Sequence, residues 1–373
     1  MQRARRRVLL PKAARLSPQK IRVLVVDDSA FARKVVREVL EASADIEVVG
    51  IARDGLDALE KIGELRPDVV TLDLVMPGLD GIGVLEALAA RDDGPRVLVV
   101  SMSDGESDLA IRALERGAID LVHKPTALAT DRLYEMGAEI VQKVRIAARA
   151  GSQSARLRAA AASTANRTSE PRGPASRLLP ARRANPPRVV VIGASTGGPQ
   201  ALTRLLGEIP ADFPVPIAIT LHMPVGYTEA LAARLNGICA LEVIEAQDDV
   251  VLRPGLVVVA RAGMHLKLES RGGEPKVSLD FSPHGKPHRP SVEVLLASAA
   301  ATFGADVLAV VLTGMSEDGL LGAQAVRAAG GVILTEAESS CVVYGMPRAV
   351  HEAGLDDAQL PLDEITQALR ALV

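Results

Sequence analysis

Short apolar runs recur along the chain, and most of them stop at a polar or charged residue. Ile21-Arg-Val-Leu-Val-Val26 stops at Asp27-Asp28, Val69–Leu72 at Asp73, and Val97–Val100 at Ser101. Ile46–Ile51 and Ile119–Val122 are two further runs, the second leading into Lys124-Pro125. Runs this short, rich in Val and Ile, predict buried strands. Between them the apolar spacing changes to three and four. Phe31, Val35, Val36 and Leu40 follow Ser29, a residue suited to cap a helix. Leu56, Leu59 and Ile62 mark a helix over Asp54–Leu65, with Pro67 beyond its end. Val84–Leu88 falls in a helix after the Met76-Pro77-Gly78 turn, and residues 131–147 form a last amphipathic helix. Strands alternating with helices predict an open parallel sheet with helices on both faces.

The pattern resumes at residue 188. Val189–Ile192, Ile217–Leu221, Val307–Leu312 and Gly331–Leu334 read as strands. Ala230–Leu235, Val292–Ala301 and Leu320–Ala329 read as helices. Val251–Arg261 and Met264–Leu268 look like short antiparallel strands around Pro254-Gly255 and Ala262-Gly263. From about 147 to 186 no apolar stripe persists. Ala, Arg, Ser, Pro and Thr dominate that stretch, which predicts a flexible tether with an end-to-end distance of about 35 Å. The expected organisation is a basic tail over 1–20, an α/β domain over 21–146, the linker over 147–186, and a second doubly wound α/β domain over 187–373. Its sheet is expected to be mostly parallel.

Composition narrows the class. A chain of 373 residues with 48% hydrophobic and 24% charged content builds two packed domains. The net charge of −3 argues against a nucleic-acid partner, and no apolar run reaches the roughly 18 residues of a membrane span. Cys239 and Cys341 lie far apart without metal-ligand spacing, as expected of reduced thiols in a cytoplasmic protein.

In open α/β sheets the reactive groups gather beyond the carboxyl ends of the strands. In the first half those ends carry Asp27, Asp28, Asp73, Ser101 and Lys124. Three crowded carboxylates repel one another unless a cation stands among them, and Mg²⁺ prefers such oxygen ligands. A carboxylate beside Mg²⁺ can attack phosphorus, Lys124 can pair with the phosphoryl charge, and the Ser101 hydroxyl can bond one of its oxygens. In the second half Gly193-Ala-Ser-Thr-Gly-Gly198 follows a strand and precedes a helix, lifting Ser195 out of the backbone. The same turn also suits phosphate binding. His222 follows Ile217–Leu221, and Asp318 lies past Val307–Leu312. A serine needs an imidazole to take its proton and a carboxylate to fix that imidazole, so Ser195, His222 and Asp318 form a candidate triad. Of the other histidines, His123 reads as surface, His265 falls in a strand and His351 near a helix end. His284 and His288 lie in a Pro/Gly loop that could contact substrate or wall the site. Gly-x-Ser-x-Gly also matches the α/β-hydrolase elbow, but that fold orders its triad Ser, acid, His. Here the order is Ser, His, Asp.

Val-Asp-Asp-Ser, Leu-Asp-Leu-Val-Met-Pro-Gly-Leu-Asp-Gly and His-Lys-Pro resemble a response-regulator receiver over 21–144. That resemblance implies phosphorylation of Asp73, Mg²⁺ held by Asp27 and Asp28 with Asp73, and Ser101 and Lys124 as the switch pair. Leu121 stands where receivers usually carry an aromatic residue. Gly-Ala-Ser-Thr-Gly-Gly, His-Met-Pro, His-Arg-Pro-Ser-Val, Leu-Thr-Gly-Met and Val-Val-Tyr-Gly-Met-Pro resemble the chemotaxis methylesterase family over 187–373. The chain departs from that pattern at Leu221 and Glu317, where Gln and Asn are common.

The resemblance implies phosphorylation-activated hydrolysis of glutamate methyl esters on chemoreceptors, with deamidation of receptor glutamines as a second activity. It implies a histidine kinase as phosphodonor, no cofactor for the ester chemistry, and a receiver that blocks the catalytic rim until phosphorylated. Backbone N–H groups at the Ser195 turn and in the Thr313–Met315 loop would hold the oxyanion, with Thr196 helping to position His222. The reading from another class is a non-catalytic adaptor that binds receptors and serves as a phosphate sink. A DNA-binding output is weaker, because no basic recognition helix follows the receiver.

Overall fold

The computed structural model describes residues 20–91, 94–101, 105–124, 137–150 and 186–373. The expected tail, apart from Lys20, and most of the expected linker fall outside these residues, as do positions 131–136 of the predicted last helix.

In the first unit the strands are β1 (Ile21–Val26), β2 (Ile46–Ala52), β3 (Val69–Leu72), β4 (Arg96–Ser101) and β5 (Asp120–His123). They alternate with α1 (Ala30–Glu41), α2 (Gly55–Leu65), α3 (Gly81–Ala89) and α4 (Ser107–Glu115), and residues 137–150 form α5. The caps follow the chemistry of the sequence. Ser29, Asp54 and Asp80 accept from Ala32, Asp57 and Gly83 N–H and open α1, α2 and α3. The strands pair in parallel in the order β2-β1-β3-β4-β5. The chain reverses direction across the sheet between β1 and β3, which puts Asp27, Asp28 and Asp73 at a topological switch point.

The second unit repeats the plan. Its strands are β6 (Val189–Ala194), β7 (Ile217–Leu221), β8 (Glu242–Glu245), β9 (Leu256–Val259), β10 (His265–Arg271), β11 (Glu274–Asp280), β12 (Val307–Val311), β13 (Val332–Glu336) and β14 (Ala358–Leu360). Its helices are α6 (Gly198–Gly207), α7 (Thr228–Ile238), α8 (Val292–Phe303), α9 (Leu320–Ala328), α10 (Met346–Glu352) and α11 (Leu362–Leu372). Seven strands pair in parallel in the order β14-β13-β12-β6-β7-β9-β8. Strand β6 feeds β7 on one side, and the chain later returns through β12 on the other. The loops after β6, β7 and β12 therefore open on one rim around a second switch point.

One expectation is corrected. Residues 251–261 hold no antiparallel partner for 264–268. Leu256–Val259 lies inside the parallel sheet between β7 and β8, and β10 pairs instead with β11, a strand not predicted. Gly255 ends the crossover from β8 to β9, and Gly263 leads out of the sheet to β10, where the sequence suggested a hairpin.

Both units bury apolar residues on the two faces of their sheets, and one cluster continues from Leu114 and Leu121 to Leu202, Leu205 and Tyr227. Helix α4 packs on α6 and α7, and Tyr227, fully buried, donates to the Ser101 carbonyl at 3.3 Å. The centre of the second core is β6, whose apolar residues are wholly buried. Truncating Ile192 there leaves a cavity that the flanking strands cannot close. Ile192→Ala should cost about 2–5 kcal/mol, read as a lower denaturant midpoint at unchanged slope.

Candidate functional site

Strand β6 ends at Ala194, which lies beside Leu221 of β7, and His222 N–H donates to the Ala194 carbonyl at 3.1 Å. That register sets Ser195 and His222 side by side on neighbouring strand ends. The turn after Ser195 requires glycine at 197, where φ is +80° and a Cβ would come within 2.6 Å of Val342 Cβ. Gly314 allows the β12 loop to approach the serine, since a Cβ there would lie 2.8 Å from Ser195 Cβ.

Asp318 reaches the same rim from the loop before α9. Its Oδ2 lies 2.7 Å from His222 Nε2. It also accepts from the N–H groups of Val292 at 2.8 Å and Glu293 at 3.1 Å, and from Ser291 Oγ at 2.8 Å. Asp318 thus occupies the N-terminus of α8, where free N–H groups favour an anion. Burial works to raise its carboxyl, but the His222 ring and these backbone donors outweigh it and hold the group down to about 2. An ionised carboxylate only accepts, so His222 carries its proton on Nε2. Nδ1, buried and without a hydrogen-bond partner in the structure, is left with its lone pair. This reverses the commoner arrangement, in which the acid takes Nδ1.

Ser195, His222 and Met315 line one cleft of about 390 Å³. Its other walls are Met223, Pro224, the Pro287–Pro290 loop and, from the first unit, Ala138, Glu139, Gln142 and Lys143 of α5. The His284/His288 loop divides. His288 stacks on His222 with ring centroids 4.0 Å apart, while His284 is exposed. His265 is fully buried, and its Nδ1 accepts from Ser291 N–H at 3.2 Å, so it braces the helix end that holds Asp318.

In the loops expected to supply oxyanion donors, four N–H groups are already engaged. Ser195 N–H donates to the Thr313 carbonyl, Gly198 N–H to the Ser195 carbonyl, Thr313 N–H to Glu336 Oε2 at 2.8 Å and Gly314 N–H to the Val343 carbonyl. Nearest the nucleophile, the N–H groups of Thr196, Gly197 and Met315 are left. The Thr196 hydroxyl, expected to help place His222, instead donates to Asp120 Oδ2 of β5. Asp120 Oδ1 accepts from Lys143 Nζ at 3.0 Å, and Lys143 also donates to the Leu121 carbonyl. Further contacts hold the same face. Gln200 Nε2 donates to the Leu114 and Ala118 carbonyls, and Arg234 pairs with Glu115 at 2.7 Å.

At the other rim, Asp27, Asp28 and Asp73 bring carboxylate oxygens within 4.8 Å of one another. Lys124 Nζ bridges Asp27 at 2.9 Å and Asp73 at 2.8 Å. Burial pushes the Asp73 carboxyl up to about 6, with Lys124 opposing and Asp27 adding to the rise. A mutually repelling set of three oxygen ligands, with Asp27 and Asp73 buried and Asp28 exposed, fits a hard divalent cation. Ser101, fully buried, donates to Glu106 Oε2 at 2.5 Å. Among the described residues no helix is long and apolar enough to cross a membrane.

Ser291, Asp120, Lys143 and Glu336 escaped the sequence reading. Ser291, directly before a predicted helix, carried a capping signal. The others act across the fold and left no local mark.

The two rims define a class: a receiver domain joined to an α/β output domain whose rim carries Ser195, His222 and Asp318. The comparisons agree. The family model for the response regulator receiver domain matches residues 23–136, and that for CheB methylesterase matches 190–369. Over 351 residues the chain is 59% identical to protein-glutamate methylesterase/protein-glutamine glutaminase 5 of Myxococcus xanthus, covering 94% of this chain and 97% of that one. It is 42% identical over 359 residues to the corresponding Symbiobacterium thermophilum protein, covering 95% and 97%. The chain belongs to the CheB family of protein-glutamate methylesterases/protein-glutamine glutaminases.

The depressed Asp318 carboxyl has a consequence for stability. A group whose pKa falls on folding contributes fully above its ordinary 3.8, and the contribution is lost as pH falls through about 2. Between those values the native chain should lose about 2 kcal/mol more stability than Asp318→Asn, as measured by denaturant titration across that pH window.

Proposed function

We propose that this chain hydrolyses γ-methyl esters of glutamate side chains on chemoreceptors, releasing methanol, and deamidates receptor glutamines at the same site. The observation that carries the reading is the His222–Asp318 pair, which leaves a buried Nδ1 free in the cleft that Ser195 lines. Ser195 Oγ attacks the ester carbonyl while His222 Nδ1 takes its proton. The N–H groups of Thr196 and Met315 bind the oxyanion, each such donor being worth roughly 10²–10³-fold in rate. His222 then protonates the departing methanol, or ammonia from a glutamine. Water, deprotonated by His222, releases the glutamate from the serine. The ester chemistry uses no cofactor.

Phosphorylation controls access. Asp73 accepts a phosphoryl group from a histidine kinase, and the Ser101 hydroxyl and Lys124 follow its oxygens. Asp27, Asp28 and Asp73 would hold Mg²⁺, which when bound would supply positive charge against that group. The protein acts in the cytoplasm and inserts in no membrane. Residues of α5 form one wall of the cleft and narrow the approach to Ser195 and His222. The docked arrangement is the inhibited one, and parting of the units opens the site. Strand β5 joins the two rims, with Lys124 beyond one end and Asp120, at the other, holding the hydroxyl beside the nucleophile.

Ser195→Ala should abolish methanol release from methylated receptor membranes while leaving the fold intact. Persistent release would remove Ser195 from its role and favour the adaptor reading. Asp120→Asn removes the charge from a hydrogen bond of a kind worth about 1.5–3 kcal/mol. The unphosphorylated full chain should then run up to about tenfold faster, with the phosphodonor-stimulated rate unchanged. An unaltered basal rate would take this contact out of the control of the site.

A further inference from the structure

We infer that His288 is a positioning residue for His222, lying flat against its imidazole and fixing the plane in which Nδ1 meets the Ser195 hydroxyl. The inference rests on the triad reading above. The Asp318 bond anchors the His222 ring at Nε2 alone. Beyond the covalent link at Cγ that one bond is the ring's only hydrogen bond among the described residues, and Nδ1, across Cε1 from Nε2, has none to fix the tilt of the plane. Packing must set the ring plane. His288 supplies it, with centroids 4.0 Å apart and planes 19° from parallel.

The surroundings suit this use. Beside the stacked pair stand Asp318, Arg289 from the same loop, and Glu139 and Lys143 from α5. His288 donates to no carboxylate among the described residues, so nothing assigns it a role in proton transfer. Burial, then the neighbouring His222 ring, holds its imidazole down to about 4, so at neutral pH it presents an uncharged face. A neutral ring can stay stacked when His222 becomes a cation during the reaction, where a charged one would be pushed away. The loop from β11 to α8 thereby does two things for the triad: Ser291 and the helix end bind Asp318, and His288 flattens His222.

The test uses the full chain with a phosphodonor, comparing His288→Ala with His288→Phe. Two readouts apply: methanol release, and the rate at which a fluorophosphonate probe labels Ser195. His288→Ala should lower kcat by about tenfold to 10²-fold at unchanged KM, the range a small misplacement of a reacting group costs. It should slow labelling in proportion. His288→Phe, which keeps a flat face and lacks the nitrogens, should recover most of both. Equal losses in Ala and Phe, or a loss confined to KM, would overturn the positioning role. So would native labelling in His288→Ala. Absence of Ser195 labelling in the native chain would instead overturn the triad reading, and is thereby distinguishable.

Discussion

A carboxylate buried to the depth of Asp318 exists as an anion only where several donors meet it. The second unit is arranged to provide them. The N-terminus of α8, the Ser291 hydroxyl and His222 Nε2 converge on two oxygens. An unpaired charge at this depth costs several kcal/mol, so each donor depends on the others. The bond network ties the end of β7, the loop after β12 and the start of α8 into one piece. It also fixes a tautomer: with Nε2 committed to the acid, Nδ1 is the one ring nitrogen able to accept from a serine. The orientation of the whole site follows from where α8 begins.

The chain uses one device twice. Each sheet has a switch point, and each gathers charge there. In the receiver three carboxylates outweigh the single charge of Lys124, a surplus suited to a divalent cation. In the esterase unit a carboxylate and an imidazole stand ready for a transient proton. Strand β5 has four residues, with Asp120 at its start and Lys124 directly beyond its end. Lys143 makes that end stiff, because its buried ammonium bonds both the Asp120 carboxylate and the neighbouring Leu121 carbonyl. Leu121, where an aromatic switch residue would stand, is itself packed in the core.

Both switch points were legible in the sequence, since apolar runs stop at the very residues that carry charge. What escaped has physical causes. Strand β8 (Glu-Val-Ile-Glu) is an edge strand, and β14 has three residues. Neither has room for a period. Strand β9 was misread because Pro254-Gly255 and Ala262-Gly263 turn a chain equally well at crossovers and at hairpins. Helix α11 had a readable stripe, with Leu362, Ile365 and Leu369 buried behind Pro361. The pairing of Thr196 with Asp120 lies 76 residues apart and between units. Hydrophobic periodicity reports which face of an element is buried, and says nothing of which surface of another unit meets it.

The composition of the interface bears on its purpose. A docked state that must yield to one phosphoryl group has to lie within a few kcal/mol of the open one. The contacts fit that need. Arg234–Glu115 is a half-exposed pair, a kind worth little. Gln200 bonds the carbonyls of Leu114, at the end of α4, and of Ala118 in the following loop, which water could satisfy instead. Tyr227 and the apolar side chains around α4 supply burial. Directional strength is concentrated at Thr196–Asp120, at the one point where loss of a bond also frees a hydroxyl beside the nucleophile. An interface built mainly on apolar area would hold harder and answer less. One hinged on a charged hydrogen bond at the end of the switch strand can be weakened without dismantling either domain.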